Sequence, residues 1–248
     1  MDAYVSHDKK IVAFWTPKCA CTAVVLWFYY NVLGHKHAKQ DPRILLHKNK
    51  HLISFEDGKH LVENEKYTAI GFVRDPITRS ASAFLSKFLY RSCGQTLLTF
   101  DSLEPFAKNL FKQYKQHNKI KDKEYFGFSF YDYLNIVYHL QNTGARINPH
   151  WNVQFSGDID FDFLVRVESF TKDLKNVNQT LGLGNYIPRE ANKLKPSGCH
   201  KCEKMVDKEP SVKLLQDKLI VDKKSILSDE CIGLIKKIYL IDFEKFNY

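Results

Sequence analysis

IVAFWTPKCACTAV, which runs from Ile11 to Val24, combines an apolar stretch, a short turn and the beginning of a helix. The apolar run Ile11–Trp15 predicts a buried strand, and the apolar stretch after the turn predicts a helix from Thr22 to about Leu33. The first four N–H groups of a helix have no partner within it, and the helix dipole adds about half a positive charge there. This turn therefore predicts a binding site for a phosphate or a sulfate.

The side chains of the turn add to this predicted anion site. Lys18 offers a full charge and three donors, and the Thr22 hydroxyl lies in the first helical turn, where it can donate to the same group. We expect the anion to be held by the whole loop: Pro17, Lys18, Cys19, Ala20, Cys21, Thr22 and Ala23. The chain has no glycine before Gly34, so this is not the glycine-rich Walker A loop. An ordinary strand-to-helix turn with a solvated lysine is the structural alternative.

A second strand-turn-helix pattern, GFVRDPITRSASAFLSKF, runs from Gly71 to Phe88. Asp75 suits the N-cap of a helix, and Pro76 suits its first turn. Arg74 leaves the end of the strand with a planar fork of donors, and Ser82 follows two turns into the helix. We therefore predict a second anion site, at Arg74 and Ser82, and a ligand with phosphates at both ends.

These two motifs resemble the carbohydrate sulfotransferases of the chondroitin 4-O-sulfotransferase and HNK-1 sulfotransferase type. The similarity extends to NPHWNVQ (Asn148–Gln154), to DFLVRVESF (Asp162–Phe170) and to the last eleven residues, 238–248. The resemblance implies a donor, 3′-phosphoadenosine 5′-phosphosulfate (PAPS), with the bisphosphate PAP as product and no required metal. It assigns the 5′ phosphosulfate to the Pro-Lys-x-x-x-Thr loop and the 3′ phosphate to the Arg-Asp-Pro segment. It also implies in-line transfer of the sulfuryl group to a hydroxyl, with a carbohydrate as the acceptor.

Transfer to a hydroxyl requires a base, and the sequence offers several. The candidates are His47, His51, His60, His150 and Glu56. We favour His47, because in the resembling enzymes a histidine precedes a Leu-Ser-Ser-Phe-like string, which is matched here by Leu52–Phe55. His51 is the close rival, since a shift of one helical turn would exchange the two. His150, beside Trp151, is assigned to positioning the substrate or donor, and for each histidine a purely structural role is the alternative.

The order of apolar and polar segments predicts an α/β fold. We expect a P-loop-like, open, mostly parallel sheet flanked by helices, in a single domain over residues 1–248. A polar segment through about residue 65 is predicted between the first helix and the second strand. The predicted strands are near 10–15, 67–73 and 163–167, and the predicted helices near 22–33, 77–91, 103–114, 130–141, 171–181 and 229–240.

Composition limits the partners. With 248 residues and 44% hydrophobic content, the chain can bury a sizeable core, and its net charge of +9 favours anionic partners. No nucleic-acid-binding motif is present, so nucleic acid is not expected as a partner. The charge does not determine which anionic partner binds, and the oligomeric state is left open.

The first ten residues are polar and contain no apolar signal segment, and no apolar run is long enough to span a membrane. The resembling animal enzymes carry an N-terminal membrane anchor and work in the Golgi. We expect a soluble, cytoplasmic enzyme here, with a Golgi-type location as the alternative if an anchor lies outside this sequence. The six cysteines are expected to be reduced. Cys199 and Cys202 have metal-like spacing but lack two further ligands, so we expect no zinc site.

Two other functions have to be compared with sulfuryl transfer. A non-catalytic module that binds a nucleotide or a sulfated glycan would keep the basic loops without needing a base. A P-loop kinase usually carries a serine or threonine directly after the loop lysine, where this chain has Cys19. We expect acceptor specificity to lie in residues 34–66 and 91–130.

Overall fold

The computed structural model describes residues 2–38, 40–89, 103–121, 127–155, 157–188, 200–217 and 219–248. The chain divides into two compact units. The first comprises residues 1–75 and 154–191, and the second comprises residues 76–153 and 192–248. Each unit contains its own cluster of buried hydrophobic side chains. The single domain over residues 1–248 stays a prediction.

The described strands form a five-stranded sheet in the first unit and a two-stranded sheet in the second. The strands are β1 (Asp2–Ser6), β2 (Ile11–Trp15), β3 (Leu52–Ser54), β4 (Thr68–Val73), β5 (Phe163–Arg166), β6 (His200–Lys201) and β7 (Leu219–Ile220). The larger sheet has the order β3-β1-β2-β4-β5. β2, β4 and β5 are mutually parallel, whereas β1 is antiparallel to both β2 and β3.

The described helices begin and end as follows. They are α1 (Cys21–Trp27), α2 (Pro42–Lys48), α3 (Phe55–Glu65), α4 (Pro76–Phe84), α5 (Pro105–His117), α6 (Phe130–Asn142), α7 (Phe170–Thr180), α8 (Ser211–Gln216), α9 (Asp229–Ile238) and α10 (Leu240–Phe246). Phe28–Val32 and Leu85–Leu89 continue α1 and α4 as π-helical turns, and a 3-10 turn, Val167–Ser169, precedes α7.

The predicted α/β class is confirmed, and the sheet is mixed. Its antiparallel part comes from β1, which lies within the ten residues that the sequence analysis described only as polar. Four residues separate Ser6 from Ile11, and so short a connection joins antiparallel strands, whereas a parallel pair needs a long crossover. β1 is also buried from Ala3 to Ser6, which explains why these residues form a strand and not a tail.

The polar segment predicted between the first helix and β4 contains helices and a strand that the sequence analysis did not predict. It contains α2, β3 and α3. Asp41 caps α2 by accepting from the Arg43 N–H at 2.9 Å, and Ser54 caps α3 by accepting from the Asp57 N–H at 3.1 Å. Both caps are residue types that begin helices, so these signals were present in the sequence. The high content of charged residues hid them, because the buried residues of these helices are few.

Parallel pairing brings the two predicted loops to one edge of the sheet. Trp15, the last residue of β2, pairs with Phe72 of β4, and Val73 pairs with Arg166 of β5. β3 runs in the same direction, and its last residue, Ser54, is level with Trp15 because both pair with Asp2. The segments that follow β2, β3, β4 and β5 therefore all leave the sheet at this edge.

The second unit is helical around an aromatic core. α6 packs against α5 and α9, and its Tyr133 lies among Phe84, Phe88 and Trp151. The Tyr239 hydroxyl donates to the Trp151 carbonyl at 2.9 Å, so it fixes the segment after α6. Within the described residues, no helix combines the length and the apolar character needed to cross a membrane.

Candidate active site

The loop between β2 and α1 has a tight conformation. Lys18 and Ala20 have φ values of 73° and 57°, which are uncommon for residues other than glycine. The Cys19 N–H donates to the Thr16 carbonyl at 3.2 Å, and Ala20, the N-cap residue of α1, makes no side-chain cap to the helix. The N-terminal N–H groups of α1 are therefore not capped by this residue.

The Cys21 side chain lies within this loop, close to several of its hydrogen-bond donors. Its thiol donates to the Thr16 carbonyl at 3.3 Å. Burial raises the pKa of the Cys21 thiol, whereas the N–H groups of Lys18, Cys19 and Cys21 and the charge on Lys18 act to lower it. Burial has the largest effect, so the thiol stays protonated, although several donors of the loop converge on this position.

Hydrogen bonds join this loop to the end of β4. The Arg74 guanidinium donates from Nη1 to the Lys18 carbonyl at 3.0 Å. Gln154 completes the connection, because its Oε1 accepts from the Arg74 N–H at 2.8 Å and from the buried Cys19 thiol at 3.1 Å. The structure thus brings Lys18 and Arg74, predicted as two separate anion sites, next to each other.

Two residues of this region were not identified as site residues from the sequence. Gln154 appeared only inside the NPHWNVQ string, with no role. Arg43 was overlooked entirely: its guanidinium donates from Nη2 to the Thr22 hydroxyl, and it begins α2 directly after Asp41 and Pro42. The Asp-Pro helix start was the available sequence signal, but it says nothing about which loop the helix approaches.

The two favoured candidate bases, His47 and His51, lie in different places relative to the loop after β2. His47 is exposed in the last turn of α2, four residues after Arg43, so the two share one face of the helix and lie about 6 Å apart along its axis. His51 lies near the other end of the sheet. Its carbonyl accepts from the Val5 N–H, and Val5 pairs with Val12, three residues or about 10 Å along the strand before Trp15.

His51 is held in place by the sheet. Its Nδ1 lies 2.9 Å from the Val5 carbonyl, which can only accept, so Nδ1 carries the proton, and the ring edge packs against Phe28. The described contacts do not bring His51 to the loop. Glu56 is exposed in the first turn of α3, directly after Ser54 at the loop end of the sheet, whereas His60 is further along this helix, beside Asn64.

The remaining predicted residues belong to the second unit. Ser82 is half-buried on α4. The His150 ring lies on Phe106, with centroids 4.5 Å apart, and its Nδ1 is 2.8 Å from Asn148 Oδ1, so the ring is fixed. Arg79, one helical turn before Ser82, is only 1% exposed and donates to the Asn152 and Pro149 carbonyls at 2.7 and 2.8 Å. Arg79 therefore holds the segment around His150.

The described residues contain no group of three or more histidine, cysteine or acidic side chains placed to share a metal ion. Cys199 lies outside the described residues. The Cys202 thiol is buried and donates to the Lys204 carbonyl at 3.3 Å.

Comparison with known protein families identifies the family to which this chain belongs. The model of the sulfotransferase family matches residues 1–248. The chain belongs to the sulfotransferase family. Two relatives of this sulfotransferase are each named carbohydrate sulfotransferase 12. The mouse protein is 26% identical over 197 residues, which cover 68% of this chain and 45% of the relative. The Xenopus laevis protein is 24% identical over 213 residues, which cover 74% and 49%. No solved structure matches the chain.

These comparisons confirm the resemblance drawn from the two motifs. The sulfotransferase spans about half the length of the curated relatives it matches. The expected cytoplasmic location is wrong. The matched relatives are animal carbohydrate sulfotransferases, the kind of enzyme that the resemblance associates with the Golgi. The expectation relied on the polar first residues, and these carry no information about the cellular location of the whole protein.

Proposed function

We propose that this sulfotransferase transfers a sulfuryl group from PAPS to a hydroxyl of a carbohydrate. The observation that carries the proposal is the hydrogen bond from Arg74 to the Lys18 carbonyl, which joins the loop after β2 to the end of β4. It joins two cationic residues at a loop that leads into a helix N-terminus with no side-chain cap, where backbone N–H groups suit an anion. The family match and the names of the two relatives support the reaction and the acceptor class.

The residues at this edge of the sheet fit the charge of such a donor. PAPS, when bound, supplies a sulfuryl group on a phosphate leaving group, and its transfer leaves negative charge on the phosphate and releases the proton of the acceptor hydroxyl. Lys18 and the loop amides stabilise that charge, a contribution of about 2.7–4 kcal/mol if it matches the loss of one preorganised donor in other enzymes. Among the loop side chains, Lys18 and Thr22 carry donors suited to the anion, whereas the Cys19 and Cys21 thiols donate to Gln154 and to the Thr16 carbonyl.

Arg43 and Arg74 extend this binding surface on two sides of the loop. Arg43 reaches the Thr22 hydroxyl and orients it, while Arg74 contacts the loop from β4. A guanidinium binds phosphate or sulfate through two parallel donors, so each of the two is suited to hold an anionic group beside Lys18. Ser82 as a ligand of the 3′ phosphate and His150 as a substrate contact stay predictions from the sequence.

A base must accept the proton of the hydroxyl, and we propose His47. Its support is its place on the face of α2 that begins with Arg43, which contacts Thr22. Glu56 is the alternative from the neighbouring helix α3, which begins at the same edge of the sheet. The distance of His51 from that edge argues against His51 as the base.

Calorimetric titration with PAP, compared with adenosine 5′-phosphate, tests the donor site. We expect PAP to bind more tightly, and we expect Arg74→Ala to lower the affinity for PAP and to reduce this preference. Lys48→Ala removes an exposed cation from α2 and serves as the matched control. The absence of measurable PAP binding by the unaltered chain would overturn the proposal.

Turnover distinguishes an enzyme from a module that only binds. The unaltered chain is incubated with PAPS and a panel of polysaccharides and simple alcohols, and the products are identified by mass. We expect sulfated carbohydrate. PAP binding without transfer to any acceptor in the panel would support the binding module instead.

A further inference from the structure

The second unit contains a cavity of about 240 Å³ between α5 and the segment that follows α6. We call the buried lining residues Leu110, Leu140 and Trp151 its floor. The more exposed lining residues Asn109, Gln113 and Arg146 are its rim. This combination of an apolar base and a few converging polar groups is the usual composition of a small-molecule site.

The rim side chains are available for a ligand. Asn109 and Gln113 lie one turn apart on the same face of α5, and Arg146 is exposed in the turn after α6. Within the described part of the chain, none of these three side chains makes a hydrogen bond or an ion pair with another protein group. Each side-chain amide offers two N–H donors and a carbonyl acceptor. Asn109 and Gln113 together therefore match a ligand that carries several hydroxyl groups.

The walls of the cavity are fixed before any ligand arrives. Arg79 donates to the carbonyls of Pro149 and Asn152, and the Tyr239 hydroxyl donates to that of Trp151. At the start of α5, Lys87 forms an ion pair with Glu104 at 2.6 Å. A preformed site binds a small ligand without the cost of ordering its walls.

Size and charge together indicate the ligand. Pockets for drug-sized ligands occupy about 300–1,000 Å³, so a smaller cavity suits a single sugar ring rather than a nucleotide with two phosphates. Arg146 is the one cation among the lining residues given by the structure, and its planar fork matches a single carboxylate or sulfate. The apolar floor then faces the C–H groups of the ring, while the amides of Asn109 and Gln113 meet its hydroxyls.

We propose that this cavity binds one anionic sugar unit, with a carboxylate or sulfate on Arg146 and hydroxyls on Asn109 and Gln113. The inference rests on the proposed function, since it assigns the sugar to the carbohydrate acceptor. It also agrees with the sequence expectation that residues 91–130 influence acceptor choice, because α5 lies within that range.

The test measures binding of three disaccharides to the full chain by calorimetry or by ligand-observed NMR, with and without PAP. The first contains an unsulfated uronate, the second is the same molecule with its carboxylate reduced to an alcohol, and the third carries a sulfate ester but no carboxylate. We expect an anionic disaccharide to bind more tightly than the carboxyl-reduced one. The first and third probes show which anion Arg146 selects.

Two variants alter the cavity. Arg146→Gln should weaken binding of the preferred anionic disaccharide about tenfold, the loss of one charge-assisted contact, and leave affinity for the carboxyl-reduced disaccharide unchanged. Asn109→Phe fills the rim and should weaken binding of all three. Both positions are exposed, so both variants are expected to fold, and circular dichroism checks this.

Lys112→Gln is the matched control, because it removes one exposed positive charge from the same helix at a position that does not line the cavity. It should change each affinity less than twofold. Equal losses in Lys112→Gln and Arg146→Gln would show diffuse attraction and overturn the proposal. Unchanged binding in Asn109→Phe, or no binding of any disaccharide to the unaltered chain, would overturn it as well.

A PAP titration of the same variants separates this inference from the proposed function. If every variant binds PAP normally and neither cavity variant changes the affinity for the disaccharides, only the sugar site is wrong. If Asn109→Phe loses PAP and keeps the disaccharides, the cavity belongs to the nucleotide and the sugar site is again wrong. If the unaltered chain does not bind PAP, the proposed function itself fails.

Discussion

Lys18 combines a positive φ with a charged side chain in the turn before α1. A left-handed conformation in a residue other than glycine is stable only when its surroundings hold it. Here the Lys18 carbonyl accepts from Arg74, and the next residue, Cys19, is anchored to Gln154 and Thr16. The loop geometry is therefore maintained by contacts from distant segments.

Lys18→Met tests the charge of this loop while keeping most of the aliphatic stem. We expect the rate of sulfuryl transfer to fall at least a hundredfold, since one preorganised donor in an active site contributes about that factor, and we expect weaker PAP binding. Rates are measured with saturating PAPS and the acceptor identified in the panel. Lys48→Met is the control on the exposed face of α2, and near-normal turnover of Lys18→Met would remove this residue from the site.

Arg43 is tested together with Thr22, whose hydroxyl it contacts. Arg43→Gln alone and Thr22→Val alone should each lower PAP affinity about tenfold, which is typical of losing a charge-assisted contact. The double variant should lose less than the product of the two factors, because both changes break the same contact. Affinities come from calorimetry. Fully additive losses would show that the two side chains act independently.

His47→Ala tests the base. We expect PAP affinity to stay unchanged and the rate to fall about a hundredfold or more, because a positioned base contributes to the transfer step rather than to donor binding. His51→Ala and Glu56→Gln are measured in parallel. If the large loss of rate occurs in Glu56→Gln and not in His47→Ala, the base lies on α3 instead of α2.

At the level of elements, α3 and β2 approach each other unusually closely. A Cβ placed on Gly58 of α3 would lie 2.9 Å from Phe14 Cε1 and 3.1 Å from Val12 Cγ1. Phe14 cannot move aside easily, because its ring packs between Phe55 and Phe161. Since β2 leads directly into the Lys18 loop, the glycine in α3 lets this helix support the strand that carries the site.

Gly58→Ala should lower the free energy of unfolding by about 1–3 kcal/mol, the usual cost of overpacking a core. Gly233→Ala is the matched control: it also changes a glycine within a helix, α9, but a Cβ there meets nothing within 4 Å. It should raise the free energy of unfolding by about 0.5–1 kcal/mol through helix propensity. Urea denaturation measures both, and equal effects of the two changes would contradict the close contact.

On the scale of the whole molecule, each unit has its own cluster of buried hydrophobic side chains among the described residues. The cluster of the first unit surrounds Trp27, whose indole donates to Asn178 at 2.8 Å, and that of the second unit surrounds Tyr133 and Trp151. Ionisable groups buried in either unit therefore affect the stability of the chain.

The raised pKa of the buried Cys231 thiol predicts that the chain loses stability at alkaline pH. Burial raises the pKa of this thiol from about 9 to about 12, and the charge of Asp207 acts in the same direction. The thiol loses its proton near pH 9 in the unfolded chain and only near pH 12 in the folded chain. The contribution of Cys231 to the free energy of unfolding is therefore complete below pH 9 and is lost as the pH rises towards 12. Cys231→Ala should therefore show a shallower fall in the free energy of unfolding between these pH values. Parallel curves for the two proteins would contradict this.

Local patterns predicted the elements that carry the site. Of the described elements, the strands β2, β4 and β5 and the helices α1, α4, α5, α6, α7 and α9 were predicted within a few residues, because long apolar runs and helical periodicity depend on neighbouring residues alone. The other helices and strands were not predicted. In β1, α2, β3 and α3 the buried residues are few or lie close to charged ones, so the pattern in sequence was weak. β1 is regular because it pairs with β2 and β3.

The sequence by itself determined that a short strand-to-helix turn carrying Lys18 and Thr22 follows β2 and that Arg74 directly follows β4, since both depend on residues adjacent in the chain. The tertiary structure alone decided which residues complete this corner. Gln154 meets Cys19 across 135 positions, Arg74 meets Lys18 across 56, and Arg43 meets Thr22 across 21. Such contacts follow from strand order and helix packing, which bring together segments whose local sequences contain no information about each other.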